Sequence, residues 1–285
     1  MPLNQLITFC HQNYNRPNRC ADCPNADCQG SCNACLQDIH HGTPRMYDCH
    51  NMLNCYTCSY IFKYASEIGH LFNLIQYNGY TDFNILSLGC GSCADLFGID
   101  NFLRVHQRNL PISYYGVDIN ARWNLTHQQI IGIFPGHNIN FEIANVFDFL
   151  TNVPDDQELN YNIVVMQYLL NEIYKNDYER LEEFTDLFVQ KIINNLPINT
   201  TVIINDINLN TVRGIATRIF NAAGENNEVA QYQYRFHQPT SHTYGGVMHA
   251  NDNLLFNVPQ EIYANYDVKL PCSSYQMVIH KTGNR

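Results

Sequence analysis

Nine of the twelve cysteines lie between Cys10 and Cys58, and their steps are those of metal ligation. The run Cys20-x2-Cys23-x4-Cys28-x3-Cys32-x2-Cys35 is followed by Cys49-x5-Cys55-x2-Cys58, with His11, His40, His41 and His50 nearby. A C-x2-C step lets two thiolates grip one tetrahedral ion, and four ligands per zinc give about two ions for this set. Cys10, His11 or His50 could complete a sphere, and spacing alone does not dictate the pairing. Iron–sulfur ligation is the alternative use of the same thiols.

Two further groups could do chemistry. Ile85-Leu86-Ser87-Leu88-Gly89-Cys90-Gly91-Ser92 reads as a strand entering a G-x-G turn, where glycine lets backbone approach a ligand at the carboxyl end of a strand. A second strand ends Tyr114-Tyr115-Gly116-Val117-Asp118, and an acid there can accept hydrogen bonds from both hydroxyls of a ribose. The segment Gln167-Tyr168-Leu169-Leu170-Asn171-Glu172 follows another strand. Glu172 could serve as a base or bind an amine, and Tyr168 or Asn171 could orient a planar substrate. The plainer reading is that Asn171 and Glu172 cap the next helix. His237, His242 and His249 read as exposed loop histidines, and Cys90 and Cys93 as packing around the glycine turn.

The elements that must position these groups can be read from apolar periodicity. Residues 1–58 have almost none, so this module needs metal to fold. Ile61, Tyr64, Ile68, Leu71, Phe72 and Ile75 predict an amphipathic helix over 59–77, linking the module to the rest of the chain and stopped by Asn78-Gly79. Strands are expected at Phe83–Leu88, Ser113–Val117, Asn140–Ala144, Tyr161–Met166 and Thr200–Asn205. Helices are expected over about 93–108, 122–132, 176–195 and 211–222. The long one carries Tyr178, Leu181, Phe184, Phe188 and Ile192 on one face. Gln231–His237 and Ser274–His280 are β-prone. This alternation predicts an α/β domain over 81–285, with a mostly parallel sheet covered on both faces.

Over residues 81–206 the chain resembles the class I S-adenosylmethionine-dependent methyltransferases. The matching pieces are ILSLGCGS at 85–92, YYGVDIN at 114–120, ANVFDF at 144–149 and YNIVVMQYLLNEI at 161–173. The resemblance implies a Rossmann-like sheet of seven strands whose last strand, Ser274–His280, is antiparallel. It implies a cofactor site of Gly89, Cys90 and Gly91 at the methionine portion and Asp118 at the ribose. Asn120 or Trp123 would flank the adenine, Asn145, Val146, Phe147 and Asp148 would border its edge, and Met166 and Gln167 would lie beside the methyl group. The departures are Ser87, where the family often has an acid, and Cys93 in place of a third glycine, for which Asp95 could substitute. A dinucleotide-binding oxidoreductase is the competing reading of the turn, with Ala94 at its permissive last position. NVFDF and the NEIY segment weigh against it. Cys28-x3-Cys32-x2-Cys35 also matches the spacing of radical S-adenosylmethionine enzymes, but no run of βα units comes after it. The Asn/Asp-Pro-Pro-Tyr and Pro-Cys signatures of amino-group and cytosine-C5 methyltransferases are absent.

Composition bounds the partners. A formal net charge of -10 opposes non-specific binding to nucleic acid, while a local basic patch could still take one. Residues 151–186 carry nine acidic side chains against Lys175 and Arg180, which reads as a solvated face. No apolar run reaches the roughly 18 residues of a membrane span, and the N-terminus does not read as a signal peptide. A cytosolic protein with reduced thiols is expected. The reading is thus a methyltransferase with a zinc module that helps present a macromolecular acceptor, RNA or protein, with a small molecule open. The alternative is an inactive interaction scaffold on the same fold. Elemental analysis of protein purified without added metal should find about two zinc ions held by the N-terminal cysteines, and iron in their place would assign the cluster to iron–sulfur chemistry.

Overall fold

In a computed structural model the described residues are 1–14, 32–40, 47, 49–75, 77, 80–155, 157–237 and 245–285, with 38–40 described by backbone only. Cys20, Cys23, Cys28, His41, Asn78, Gly79 and His242 lie outside them. The chain opens with helix α1 (Pro2–Asn13), which buries Leu3, Leu6, Ile7 and Cys10. That is the i, i+3, i+4, i+7 stripe of an amphipathic helix, so the N-terminal segment has an apolar face of its own, where almost no periodicity was expected. Next come α2 (Cys32–His40) and α3 (His50–Phe72). Helix α3 starts at His50 and ends at Phe72, where the sequence predicts 59–77; the thiol of Cys49 caps it by accepting the Met52 N–H at 3.3 Å. Nearly all of α3 is buried on every side, as for a helix inserted between other elements.

The remainder alternates strands and helices: β1 (Phe83–Leu88), α4 (Ala94–Val105), β2 (Ile112–Asp118), α5 (Asn124–Ile133), β3 (Asn138–Ile143), α6 (Val146–Asn152), β4 (Ile163–Gln167), α7 (Leu169–Asn176), α8 (Leu181–Leu187), β5 (Thr201–Asp206), α9 (Asn210–Asn226), β6 (Asn227–Arg235), β7 (Val247–Met248), α10 (Gln260–Asn265) and β8 (Tyr275–Asn284). The expected single helix over 176–195 is interrupted. A 3-10 turn at Tyr178–Arg180 precedes α8, a π turn at Phe188–Ile192 comes after it, and Tyr178 is exposed rather than on the buried face. Helix α7 is an addition to the expected elements, and Asn171 and Glu172 lie within it.

The strands form one sheet in the order β3-β2-β1-β4-β5-β8-β6-β7. The first five are mutually parallel, and β8 runs antiparallel between β5 and β6. The sheet has eight strands where seven were expected; the extra one is the two-residue β7, a parallel pairing of Val247 and Met248 beside Tyr234 and Arg235 at the edge. Because successive side chains on a strand point to opposite faces, each central strand serves two cores. Ile85, Ile163, Val165 and Ile203 join the core containing α1, α3, α4 and α5. Leu86, Val164, Met166 and Val202 join the core containing α6 to α9. Where the strand order reverses, between β1 and β4, the carboxyl ends open a crevice, the position at which open α/β sheets bind ligands.

Helix α3 is fastened over that crevice by Glu67, whose exposure is 0 %. One carboxylate oxygen accepts the Tyr168 hydroxyl at 2.9 Å and the Asn205 amide at 3.2 Å. The other accepts the backbone N–H groups of Ser273 at 2.9 Å and Ser274 at 3.2 Å, with the Lys63 ammonium 3.9 Å away. Gln276 reinforces the joint by donating to the Glu67 carbonyl at 2.8 Å. Removing this acceptor strands several buried donors, so Glu67→Ala should lower unfolding free energy by about 3–5 kcal/mol, measured by urea denaturation. Glu67→Gln, which keeps one acceptor oxygen, should recover part of that loss.

Candidate cofactor and active site

The turn after β1 needs backbone that ordinary residues resist: Gly89 and Gly91 have φ of 69° and 47°, in the left-handed region that glycine enters without steric penalty. It is pinned from below by the N–H groups of Gly89 and Cys90, which donate to Val117 O at 2.8 and 3.1 Å. At the end of β2, Asp118 Oδ2 accepts the Gly91 N–H at 2.9 Å and Oδ1 accepts the Asn120 N–H at 2.9 Å. Each oxygen keeps an acceptor position for a ligand. Burial raises the Asp118 carboxyl above its ordinary value, opposed by these two N–H groups.

These groups open on a cavity of about 900 Å³, a size ample for a nucleoside cofactor together with part of an acceptor. Of the residues expected from sequence, Gly89, Gly91, Asp118, Asn120, Trp123, Asn145, Val146, Phe147, Gln167, Tyr168, Asn171 and Glu172 all line it. Cys90 and Met166 are buried behind it, and Asp148 is exposed outside its lining. Asp95 is buried beneath the turn and accepts the Tyr114 hydroxyl at 3.0 Å, so it does not reach the cavity in the way a substitute acid would.

The opposite wall is made of residues that sequence reasoning missed. Tyr56, Tyr60 and Tyr64 recur every fourth residue along one side of α3 and face the cavity with Tyr47. Tyr56 stacks on Tyr60 at 4.9 Å between ring centroids, and Tyr64 stacks on Tyr168 at 4.1 Å. Their i, i+4, i+8 spacing is visible in the sequence, but there Tyr64 alone belongs to the helical stripe, and it reads as core. The Tyr168 hydroxyl is committed to Glu67, which leaves its ring as its contribution to the wall. Gln167 donates to Tyr64 O at 2.9 Å and Asn120 to Tyr47 O at 2.9 Å, joining the tyrosine wall to the sheet.

Asn171 and Glu172 project from the first turns of α7. Asn171 is 6 % exposed and its Oδ1 has no hydrogen-bond partner, an arrangement that leaves an acceptor for a bound molecule. Burial raises the carboxyl of Glu172, with Lys175 and Asn176 opposing. Behind them Asp206, fully buried at the end of β5, accepts the N–H groups of Asn171 at 3.2 Å and Ile207 at 2.7 Å. Its carboxyl is pushed up to about 7 by burial, against those backbone donors.

The expected metal ligands fall on several elements. Cys10 and His11 lie on α1, Cys32 and Cys35 on α2, Cys49 caps α3, and His50, Cys55 and Cys58 lie within α3. The His11 ring nitrogen Nδ1 pairs with the Tyr266 hydroxyl at 3.0 Å, and the Cys55 thiol donates to Asn33 Oδ1 at 3.1 Å. Burial pushes the Cys10 thiol up to about 12 and raises Cys58 as well. Cys20, Cys23 and Cys28 lie outside the described residues. Among the described residues one group brings three ligand atoms within 4.8 Å of one another, and it is Cys90, Cys93 and His127, beneath the glycine turn. Of the loop histidines, His237 is exposed as expected. His249 is buried, pairs with Gln276 Oε1 at 2.6 Å, and its imidazole is pushed down to about 4 by burial.

No protein-family model matches the sequence, and no curated protein matches it. Solved structures to which the chain is similar include the precorrin-6y C5,15-methyltransferase of Geobacter metallireducens, 14 % identical over 77 % of this chain and 87 % of that one, with a TM-score of 0.41. The ribosomal protein L11 methylase of Lactobacillus delbrueckii subsp. bulgaricus is 11 % identical over 76 % of this chain and 77 % of that one, with a TM-score of 0.39. PKMT2 of Rickettsia typhi in complex with AdoHcy is 16 % identical over 52 % of this chain and 26 % of that one, with a TM-score of 0.33. Likenesses of this degree carry no argument, and the site is defined by this chain's own residues. Among the described residues no helix is long and apolar enough to cross a membrane.

The raised carboxyl of Asp206 makes stability depend on pH in a stated direction. The folded chain holds this proton more tightly than the unfolded chain, whose Asp titrates near 3.9. The contribution is therefore full below about pH 4 and is lost as pH rises through about 7. Urea midpoints should fall across that window, and Asp206→Asn should flatten the fall.

Proposed function

We propose that the chain is an S-adenosylmethionine-dependent methyltransferase whose acceptor is a macromolecule, RNA or protein, presented with the help of the N-terminal cysteine module. The observation that carries the cofactor reading is Asp118, held by the N–H groups of Gly91 and Asn120 at the end of β2 and facing the cavity over the glycine turn. The mostly parallel sheet around it, with the last strand β8 antiparallel beside β5, agrees with the antiparallel last strand that the resemblance implies. Support for a presented acceptor comes from Gln37, Tyr47, Tyr56 and Tyr60, N-terminal residues that line the same cavity.

When bound, the cofactor supplies a methyl group on a cationic sulfur, ready for in-line displacement. The chain's part is positioning and exclusion of water. Asp118 fits the ribose hydroxyls, Trp123 offers a flat buried surface for the adenine, and Asn171 Oδ1 offers an unused acceptor. The tyrosine faces of α3 suit a planar or cationic acceptor. Glu172, once ionised, can take a proton from a neutral nucleophile, so turnover should rise with pH as its raised carboxyl loses its proton. The second reading, a scaffold without turnover, draws on Ser87 and Cys93 at positions where the family has an acid and a glycine.

Calorimetric titration separates the readings. Asp118→Ala should weaken S-adenosylmethionine and S-adenosylhomocysteine alike, by about 10- to 150-fold for a lost charged acceptor. Glu172→Ala should leave both affinities nearly unchanged and lower turnover on an acceptor. Binding without turnover on any acceptor would favour the scaffold, and no binding by the folded wild type would count against both the cofactor and the enzyme.

A further inference from the structure

We propose that Cys90, Cys93 and His127 form a metal site of their own, a two-sulfur, one-nitrogen cage for a zinc-class ion beneath the glycine turn. It is separate from the N-terminal cysteines and stands whether or not the cavity above holds a sulfonium cofactor.

The three donors come from two elements that only the fold brings together. Cys90 and Cys93 bracket the turn in a C-x2-C step, closed by the Cys93 N–H donating to Cys90 O at 2.7 Å. Cys93 takes φ 57° to do so, a conformation that costs a residue with a Cβ and needs its surroundings to hold it. His127 arrives from α5. Its Nε2 lies 3.9 Å from Cys90 Sγ, and the three ligand atoms all fall within 4.8 Å of one another. Tetrahedral zinc, with Zn–S about 2.3 Å and Zn–N about 2.0–2.1 Å, spaces such ligands about 3.5–3.8 Å apart. Closing the cage therefore takes small movements of side chains alone.

Three details of the surroundings agree. The site is dry, with Cys93 at 0 %, His127 at 4 % and Cys90 at 7 % exposure. Strand β2 makes room for the sulfur with Gly116, where a Cβ would stand 2.8 Å from Cys90 Sγ. The His127 ring lies flat against Phe141 at 3.9 Å, which sets its plane, and its Nδ1 is buried with no hydrogen-bond partner. Without an ion, Nε2 carries the ring proton and donates it to Gly91 O at 2.8 Å. Binding therefore moves that proton to Nδ1, which turns the Nε2 lone pair to the ion and frees the Gly91 carbonyl, the nearest candidate for a fourth donor.

Charge selects the ion. Binding releases the two thiol protons to solvent, leaving two thiolates and a neutral imidazole. A divalent ion makes this buried assembly neutral, whereas a monovalent soft ion such as Cu(I) leaves it with a net negative charge in a dry site. The bound ion would tie α5 to the turn and hold Gly89, Gly91 and Cys93 in their left-handed conformations.

The test uses the full-length chain, reduced, stripped of metal and reconstituted with Co(II), then with Zn(II), with bound metal counted by mass spectrometry. Wild type should hold one ion more than His127→Asn and one more than Cys93→Ser, with loss of part of the thiolate-to-cobalt charge-transfer absorption. A Cys20/Cys23/Cys28→Ser variant should keep that ion. His127→Asn leaves the turn's own residues intact, so it remains informative if Cys93→Ser does not fold. Full wild-type metal content in folded His127→Asn would overturn the proposal. So would a Cys90–Cys93 disulfide that forms in preference to metal when the zinc-loaded chain, with zinc in excess, is exposed to dioxygen as oxidant, since the pair would then be a redox couple.

Discussion

A carboxylate taken wholly out of water has to be given hydrogen bonds at once from several directions, and Glu67 imposes that demand here. Its donors come from the end of β4, from β5 and from the chain just before β8. None of these segments is near α3 in sequence, so the network fixes α3 against the sheet at one register. Apolar packing along α3 supplies most of the area, but apolar contact is tolerant of small slips. A buried anion is not, because a shift of one residue would leave it and its donors unpaired.

That registration has a direct effect on the cavity. Tyr56, Tyr60 and Tyr64 lie on the same helix as Glu67, and Tyr168 joins the two by hydrogen-bonding the carboxylate while stacking on Tyr64. The N-terminal segment thus forms one wall of the site, and the sheet's carboxyl edge forms the other. The glycine turn, Asp118 and the first turns of α7 converge there because all three come directly after strand ends at the place where the strand order reverses.

The central strands could be read from the sequence because they are buried on both faces, and continuous apolar runs such as Ile163–Met166 have no competing explanation. The edge strand β3 is half-exposed, so its pattern is weak and its expected place was two residues late. Helix α1 carried a readable stripe in Leu3, Leu6, Ile7 and Cys10, overshadowed by the density of cysteines after it. The glycine turn and Asp118 were legible because their geometry is local. The tyrosine wall, the Glu67 network and His127 were not, because their meaning depends on partners from distant parts of the chain that no periodicity reports.

The wiring of Glu67 also constrains the order in which the molecule can be made. Two of its donors, Ser273 and Ser274, lie about 200 positions after it, so a ribosome must add that whole stretch before they exist. Until then the carboxylate has to stay hydrated, and α3 cannot settle into its dry seat even though its own residues are already made. Helical contacts can form locally as the chain emerges, while this closure waits for the distant segment. The nascent protein therefore carries an unseated, largely apolar helix while the intervening sheet is synthesised, an exposure of the kind that chaperones exist to shield.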